Sequence, residues 1–169
     1  MNILILEDDP YRIRQFKMNL IGHYVAVVDT PADFEYLYKR ADMKWDIVFL
    51  DYDLDQAVDM DLNPEYRHDY ENVNGMKVVE HIIAKETHPS IHGRTDRMFV
   101  VHSANDPAAK LMLEALRKAK LRSIRFYGCW QSDKLIQDID TIFASKELSN
   151  HDTSTRLPTP DYWRYSEII

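Results

Sequence analysis

Cysteine is nearly absent: Cys129 is the only one among 169 residues. An internal disulfide is therefore excluded, which fits a reducing compartment. Cys129 reads as a small, half-buried apolar residue. A basic excess is also missing. The chain carries 21 Lys and Arg against 28 Asp and Glu, a formal net charge of −7. A general nucleic-acid binder needs a basic surface, so that class is set aside. A small, metal-bridged phosphate ligand is not. No apolar run approaches the ~20 residues of a membrane-spanning helix. The N-terminal run Ile3 to Leu6 is short and leads straight into acids, unlike a secretory leader. The expectation is a soluble, cytoplasmic protein of one domain, with 45% hydrophobic residues to build its core.

In place of long apolar runs the chain has short ones that end in polar groups. Ile47-Val48-Phe49-Leu50 reads as a strand buried on both faces, and it stops at Asp51 and Asp53. A carboxylate at the end of a buried strand is costly unless something charged lies beside it. Ile3-Leu4-Ile5-Leu6 runs into Glu7-Asp8-Asp9, and Met98-Phe99-Val100-Val101 into His102-Ser103-Ala104-Asn105. These endings predict one site at the carboxyl edge of one parallel sheet, where open α/β folds bind ligands.

The order of elements supports that placement. After the first strand, Asp9-Pro10 reads as a helix cap followed by proline, with Ile13, Phe16 and Leu20 on the apolar face and Gly22 as the stop. Tyr24 to Val28 is a second strand. Thr30-Pro31 opens a second helix with Phe34, Leu37, Tyr38 and Ala41 inward. Residues 55–73 are acidic and tyrosine-bearing without periodicity, and a loop this long is usually functional or mobile. Asn74 caps a third helix that begins at Gly75 and buries Met76, Val79, Ile82 and Ile83. A polar loop, 87–97, precedes the strand 98–101. Asp106-Pro107 reads as another cap-plus-proline pair, opening a helix with Ala109, Met112, Leu113 and Leu116 inward. Ser123 to Tyr127 is a candidate fifth strand, and Ser132 caps a last helix through Leu135, Ile136, Ile139, Ile142 and Phe143.

Strands alternating with helices imply right-handed crossovers and a three-layer α/β sandwich. The expected sheet has about five parallel strands in the flavodoxin-like order 2-1-3-4-5. Strands one and three then meet at the switch point, with Glu7, Asp8 and Asp51 at their carboxyl ends. The domain is expected to span 1–144. Residues 145–169 form a tail with Pro158, Pro160 and Tyr162-Trp163-Arg164-Tyr165, packed on the domain or on a partner, a second subunit included.

Glu7-Asp8-Asp9, Asp51 and Ser103-Ala104 together resemble the acidic cluster, strand-three aspartate and strand-four hydroxyl of response-regulator receiver domains. The resemblance covers roughly residues 1–143. It implies that the cluster and Asp51 hold a divalent metal, that Asp51 accepts a phosphoryl group and that Ser103 contacts it. Receivers also carry a lysine at the end of strand five; here that stretch is Phe126-Tyr127-Gly128-Cys129-Trp130, and Lys134 falls in the last helix. A more specific likeness covers this departure. Asp51-Tyr52-Asp53-Leu54, Asn74-Gly75 and His102-Ser103-Ala104-Asn105-Asp106-Pro107 resemble the cyclic-phosphate processing receiver domain, a divergent branch of bacteria and their phages. Tyr52 stands where that branch usually has histidine, and Asp106 is inserted before the proline.

The chemistry of the residues agrees with the likeness. Glu7, Asp8 and Asp51 crowd negative charge that Mg²⁺ or Mn²⁺ would relieve. Asp9 reads as a cap rather than a ligand. Asp53 binds the metal through its backbone, as the matching receiver position does, or contributes its side chain; both readings stay open. His102 is either a general acid to a leaving oxygen or a strand-end histidine bonded to backbone. Ser103 and Asn105 either donate to phosphate oxygens or cap the next helix. Arg12, one turn into the first helix, pairs with phosphate or stays solvated. His68, His81, His88, His92 and His151 lack ligand spacing, and Arg117-Lys118-Lys120-Arg122-Arg125 reads as a solvated helix end.

The leading expectation is metal-dependent hydrolysis of a cyclic phosphate, with Asp51 as ligand or nucleophile, His102 as acid and the 55–73 loop closing over the substrate. The partner is then a small phosphate-bearing ligand such as a cyclic nucleotide. One alternative is binding without turnover, with Tyr52, Tyr66, Tyr70 and Trp130 stacking on bases. Another is a degenerate phosphoacceptor receiver, against which the missing lysine counts.

Overall fold

The computed structural model describes residues 1–40, 42–54, 74–88 and 97–148. Ala41, the acidic segment 55–73, residues 89–96 and the tail from 149 onward lie outside the described residues. Tyr66, Tyr70, His68, His92, His151 and the expected loop closure lie there too.

The chain alternates strands and helices throughout. β1 is Asn2–Leu6, α1 Pro10–Asn19, β2 Tyr24–Val28, α2 Pro31–Lys39, β3 Ile47–Leu50 and α3 Gly75–Glu86. Then follow β4 Met98–Val101, α4 Asp106–Lys118, β5 Ser123–Arg125, a single 3₁₀ turn Cys129–Gln131 and α5 Leu135–Leu148. The strands form one parallel sheet in the order β2-β1-β3-β4-β5. This is the expected flavodoxin-like sandwich.

The period of two along each strand sorts the core into two layers. Leu4, Leu6, Val48, Leu50, Phe99 and Val101 pack against Phe34 and Tyr38 of α2, Val78, Val79 and Ile82 of α3, and Met112 and Leu116 of α4. Ile3, Ile5, Ile47, Phe49, Val100 and Ile124 pack against Phe16 and Leu20 of α1 and Leu135, Ile139 and Ile142 of α5. β1 and β3 are central, so both of their faces are covered. Each fully buried Leu, Ile, Val or Phe there contributes about 1.5–3 kcal/mol over an exposed one.

The starts of α1 to α4 follow the cap chemistry with one shift, whereas α5 begins at Leu135, beyond the expected cap Ser132, which accepts from Lys134 N. Asp9 accepts from the amides of Tyr11 and Arg12, Thr30 from Asp33 and Asn74 from Met76. At α4 the cap is Asn105, whose side chain accepts from Ala108 N, and not Asp106. Asp106 lies in the first turn and pairs with Arg125 of β5. Asn105 reaches an orphan amide from outside the helix, which frees Asp106 for the arginine. β5 is shorter than the expected 123–127, because the chain leaves the sheet after Arg125 and turns through Gly128 at φ 74°. Only glycine takes such a turn at no steric cost.

At the amino edge of the sheet lies a satisfied polar cluster. Arg97, just before β4, pairs with Glu86 at the end of α3 and donates to Trp45 O at 3.0 Å and to the Tyr38 hydroxyl at 2.6 Å. Tyr38 in turn donates to Glu86 at 2.7 Å.

Candidate metal and phosphate site

The opposite edge carries the predicted site. Glu7 follows β1, and Asp51 follows β3. Since β1 and β3 are paired, the two carboxylates come side by side. Both are buried, at 0% and 1% exposure. Glu7 Oε1 accepts from the amides of Asp8 at 3.0 Å and Asp9 at 2.9 Å. Asp51 Oδ1 accepts from Tyr52 N at 2.7 Å, and Ser103, buried at the end of the paired strand β4, accepts from Asn105 N at 3.2 Å. Glu7 Oε2 and Asp51 Oδ2 have no hydrogen-bond donor. Asp8 is half-buried beside them, and one ligand oxygen from each of Glu7, Asp8 and Asp51 lies within 4.8 Å of the others.

Arg12 is the counter-charge. Its Nη2 lies 3.1 Å from Glu7 Oε1, its Nη1 3.1 Å from Asp51 Oδ2 and its Nε 3.6 Å from Asp9. One guanidinium does not balance the cluster. Burial pushes the Glu7 carboxyl up to about 8, against the pull of the Asp9 amide, and neighbouring Asp51 adds to the rise. Burial raises Asp51 as well, opposed by Arg12. Two buried carboxylates held this way want a cation of higher charge. The orphaned oxygens, the all-oxygen donor set and their spacing fit a hard divalent ion.

An open cleft of about 370 Å³ lies over these groups, lined by Asp8, Asp9, Pro10, Arg12, Asp51, Asp53 and Ala104. Asp53 is exposed at its mouth and accepts from Asn105 Nδ2 at 3.3 Å. Asn105 thus caps α4 with its oxygen and faces the cleft mouth with its amide nitrogen. Of the candidate residues, Asp8, Arg12, Asp51 and Asp53 line this cleft, while Glu7, Ser103 and Asn105 lie at the same sheet edge without lining it.

His102 is placed differently. It is fully buried, behind the carboxylates, in edge contact with Phe16 at 5.3 Å, Trp130 at 5.9 Å and Phe49 at 6.2 Å. Its Nδ1 is 3.7 Å from Glu7 Oε2. Burial, with the charge of Arg12 added, drives the ring down to about 3, so it is neutral. It touches Glu7, not the cleft.

Three residues have roles here that spacing did not reveal. Trp130 lies in the 3₁₀ turn that follows β5; only 6% exposed, it lies under Arg12 at 5.3 Å. Its ring is covered and offers no platform for a base. Tyr52 packs against the α2/α3/α4 core layer, and its hydroxyl accepts from Asn74 Nδ2 at 3.4 Å. Gly75 presses on the end of β3: a Cβ there would lie 1.9 Å from Asp51 O. The motif contains Asn74-Gly75, but the need for glycine arises only when α3 docks. Elsewhere, His81 lies 3.5 Å from Glu35, and Arg117, Lys118 and Lys120 are exposed at and beyond the end of α4. Among the described residues no helix is long and apolar enough to cross a membrane.

Solved receiver domains share this fold. The chain superposes on a response regulator receiver domain (CheY-like) from Methylobacillus flagellatus with a TM-score of 0.54 at 16% identity, over 85% of this chain and 98% of that one. For the N-terminal domain of a response regulator/sensory box/GGDEF 3-domain protein from Carboxydothermus hydrogenoformans the TM-score is 0.53 at 15% identity, over 89% and 100%. A response regulator receiver domain protein from Clostridium thermocellum gives 0.52 at 17% identity, over 87% and 97%. At these identities the likeness concerns the fold. No curated protein matches the sequence. Residues 3–118, from β1 through α4, match the family described as Cyclic-phosphate processing Receiver domain. With the receiver sheet in place, the acids at the ends of β1 and β3 and no lysine in the stretch Phe126 to Trp130, the chain belongs to the cyclic-phosphate processing receiver domain family.

Proposed function

We propose that this domain processes a phosphoester in a divalent-metal-dependent reaction, with a cyclic phosphate as substrate. One observation carries the reading: buried Asp51 lines a cleft beside buried Glu7, and each of these carboxylates has an oxygen lacking a hydrogen-bond donor. Glu7, Asp8 and Asp51 would hold Mg²⁺ or Mn²⁺, which when bound supplies charge neutralisation and polarises a phosphoryl oxygen. Arg12 offers a two-pronged fork to non-bridging phosphate oxygens. Asn105 Nδ2 and Asp53 frame the mouth of the cleft. Ser103, buried at the end of β4, holds the Asn105 amide at the same sheet edge. As nucleophile, Asp51 would attack phosphorus, breaking one ring P–O bond; the freed oxygen takes a proton from solvent. Water then cleaves the acyl phosphate, restoring the carboxylate and releasing a phosphomonoester. His102 acts through Glu7 in this scheme, since its ring reaches that carboxylate and not the cleft.

The same placement favours a second reading, binding without turnover. Among the described residues, the candidate acid does not line the cleft. The two readings separate in a ³¹P NMR experiment on the protein with Mg²⁺ and a panel of 2′,3′-cyclic, 3′,5′-cyclic and oligomeric cyclic nucleotides. New phosphate resonances, absent in Asp51→Asn, establish the enzyme and its substrate class. Shifted or broadened ligand signals without product establish a binding module. Silence across the panel removes cyclic phosphates as the ligand. A phosphoacceptor receiver would instead gain an acid-labile phosphate on Asp51 from a histidine kinase.

A further inference from the structure

Arg12 occupies ground that the metal and the phosphate both need. Its Nη1 lies 3.1 Å from Asp51 Oδ2, the oxygen of Asp51 left without a hydrogen-bond donor. Its Nη2 lies 3.1 Å from Glu7 Oε1, which already takes two amides. The same side chain also lines the cleft and is 18% exposed, so it borders the space where a phosphate would enter. It is not a loose surface arginine. The guanidinium lies 5.3 Å from the centre of the Trp130 ring. That ring is itself fixed by Phe16 at 6.5 Å and by Asn19 Nδ2 donating to Trp130 O at 2.6 Å. Cation–π attraction keeps the guanidinium over the ring whichever anion its nitrogens face.

We propose that Arg12 couples the metal to the phosphate: it sits on Glu7 and Asp51 while they are metal-free, and a divalent ion on those carboxylates hands it to the phosphate of the ligand. The inference rests on the metal-and-phosphate reading above and adds an order of binding to it. The physical case is one of competition. A guanidinium does not shed its charge, so it competes with a divalent cation for the same carboxylate oxygens and is repelled by it. When the ion takes Asp51 Oδ2, the arginine loses its partner and is repelled. A phosphate dianion beside the ion is then its best partner, bound through paired N–H groups. Linkage makes the effect reciprocal: what the ion does for phosphate, phosphate does for the ion. Arg12 also supplies, from α1, a cation facing Asp51 in a chain whose stretch Phe126 to Trp130 contains no lysine.

The test is calorimetry on the full chain with Mn²⁺ and with inorganic phosphate. In the parent, saturating Mg²⁺ should tighten phosphate binding by about tenfold, the middle of the range for coupled sites. Arg12→Ala should bind Mn²⁺ several-fold more tightly than the parent, because the competing cation is gone, and should lose the Mg²⁺-dependent gain in phosphate affinity. Arg12→Lys, which keeps the charge without the fork, guards against a fold defect and should retain weak coupling. Tryptophan emission should change on adding Mg²⁺, and the change should vanish in Trp130→Phe. If folded Arg12→Ala binds Mn²⁺ no more tightly than the parent, Arg12 is no competitor and the inference falls. If the parent binds Mn²⁺ and phosphate independently, the coupling falls while the metal site stands. If the parent binds no Mn²⁺, the underlying reading falls with it.

Discussion

Arg97 and Arg12 are both set among buried carboxylates, at opposite edges of the same sheet. At the amino edge, Arg97, Glu86, Tyr38 and the Trp45 carbonyl close a circuit in which Nε and Nη1 of Arg97 both meet acceptors. At the carboxyl edge, Arg12 meets two carboxylates and leaves Glu7 Oε2, Asp51 Oδ2 and both nitrogens of His102 without hydrogen bonds. The first cluster ties α2, α3 and β4 together and is complete. Among the described residues, nothing matches the charge of the second. Satisfied polar networks specify a fold, whereas strained ones mark sites where function was kept at a cost in stability.

The sharpest way to break this contrast is to cut the complete cluster. Arg97→Ala leaves Glu86 buried without its cation and should cost about 3–5 kcal/mol in urea unfolding. Metal affinity at the far edge should not change in the protein that remains folded. A loss under about 1 kcal/mol would make the two clusters alike.

Gly75→Ala tests how the carboxyl edge is held. The new Cβ would meet Asp51 O at 1.9 Å, so α3 or the end of β3 must shift. The expected cost is about 1–3 kcal/mol, as for overpacking. Unlike Arg97→Ala, it should also weaken Mn²⁺ binding, because the displaced backbone carries Asp51. An unchanged Mn²⁺ isotherm would show that Asp51 does not depend on that contact.

The pH response follows from two shifts of opposite sense. Glu7 rises from 4.5 to about 8, so its contribution to metal-free stability is complete below 4.5 and is lost as pH rises through 8. His102 falls from 6.5 to about 3, so the unfolded chain takes up the proton first and stability is lost as pH drops below 6.5. The two oppose each other between 4.5 and 6.5, where the melting temperature in EDTA should be nearly flat, declining on either side. Metal must displace the Glu7 proton, so Mg²⁺ affinity should rise by about tenfold per pH unit up to about 8 and level off there. A pH-independent isotherm from 6 to 8 would mean that Glu7 is not a ligand.

Much of this was legible in the sequence, and the gaps have physical causes. Ile3 to Leu6 and Ile47 to Leu50 announced the central strands by being apolar on both faces. Their acidic ends then located the site, because strand order forces them together. The cap at α4 was off by one residue, since Asn105 and Asp106 are both capable caps and Arg125 decides between them. His102 shares the parity of Val100, which belongs to the α1/α5 layer. Spacing shows that parity but does not show which layer it meets, so a histidine beside the site looked like one inside it. Gly75 and Trp130 were invisible as partners of Asp51 and Arg12 because those contacts depend on how α3 and the end of β5 dock.

The smallest expected effect is the most discriminating. Asp51→Asn removes a buried charge whose burial outweighs its attraction to Arg12. In a satisfied cluster such a change destabilises. Here the metal-free protein should gain about 1 kcal/mol, in the range typical when a residue kept for function is neutralised. With Mg²⁺ present the order should reverse. The parent is then stabilised by the free energy of binding, which grows with the ratio of ion concentration to Kd, while Asp51→Asn has lost an anionic ligand oxygen. Melting curves in EDTA and in excess Mg²⁺ should therefore cross between the two proteins. A variant less stable than the parent in both conditions would place Asp51 with Glu86, as a carboxylate the fold needs. A crossing would mean that the carboxyl edge is completed by its ligand.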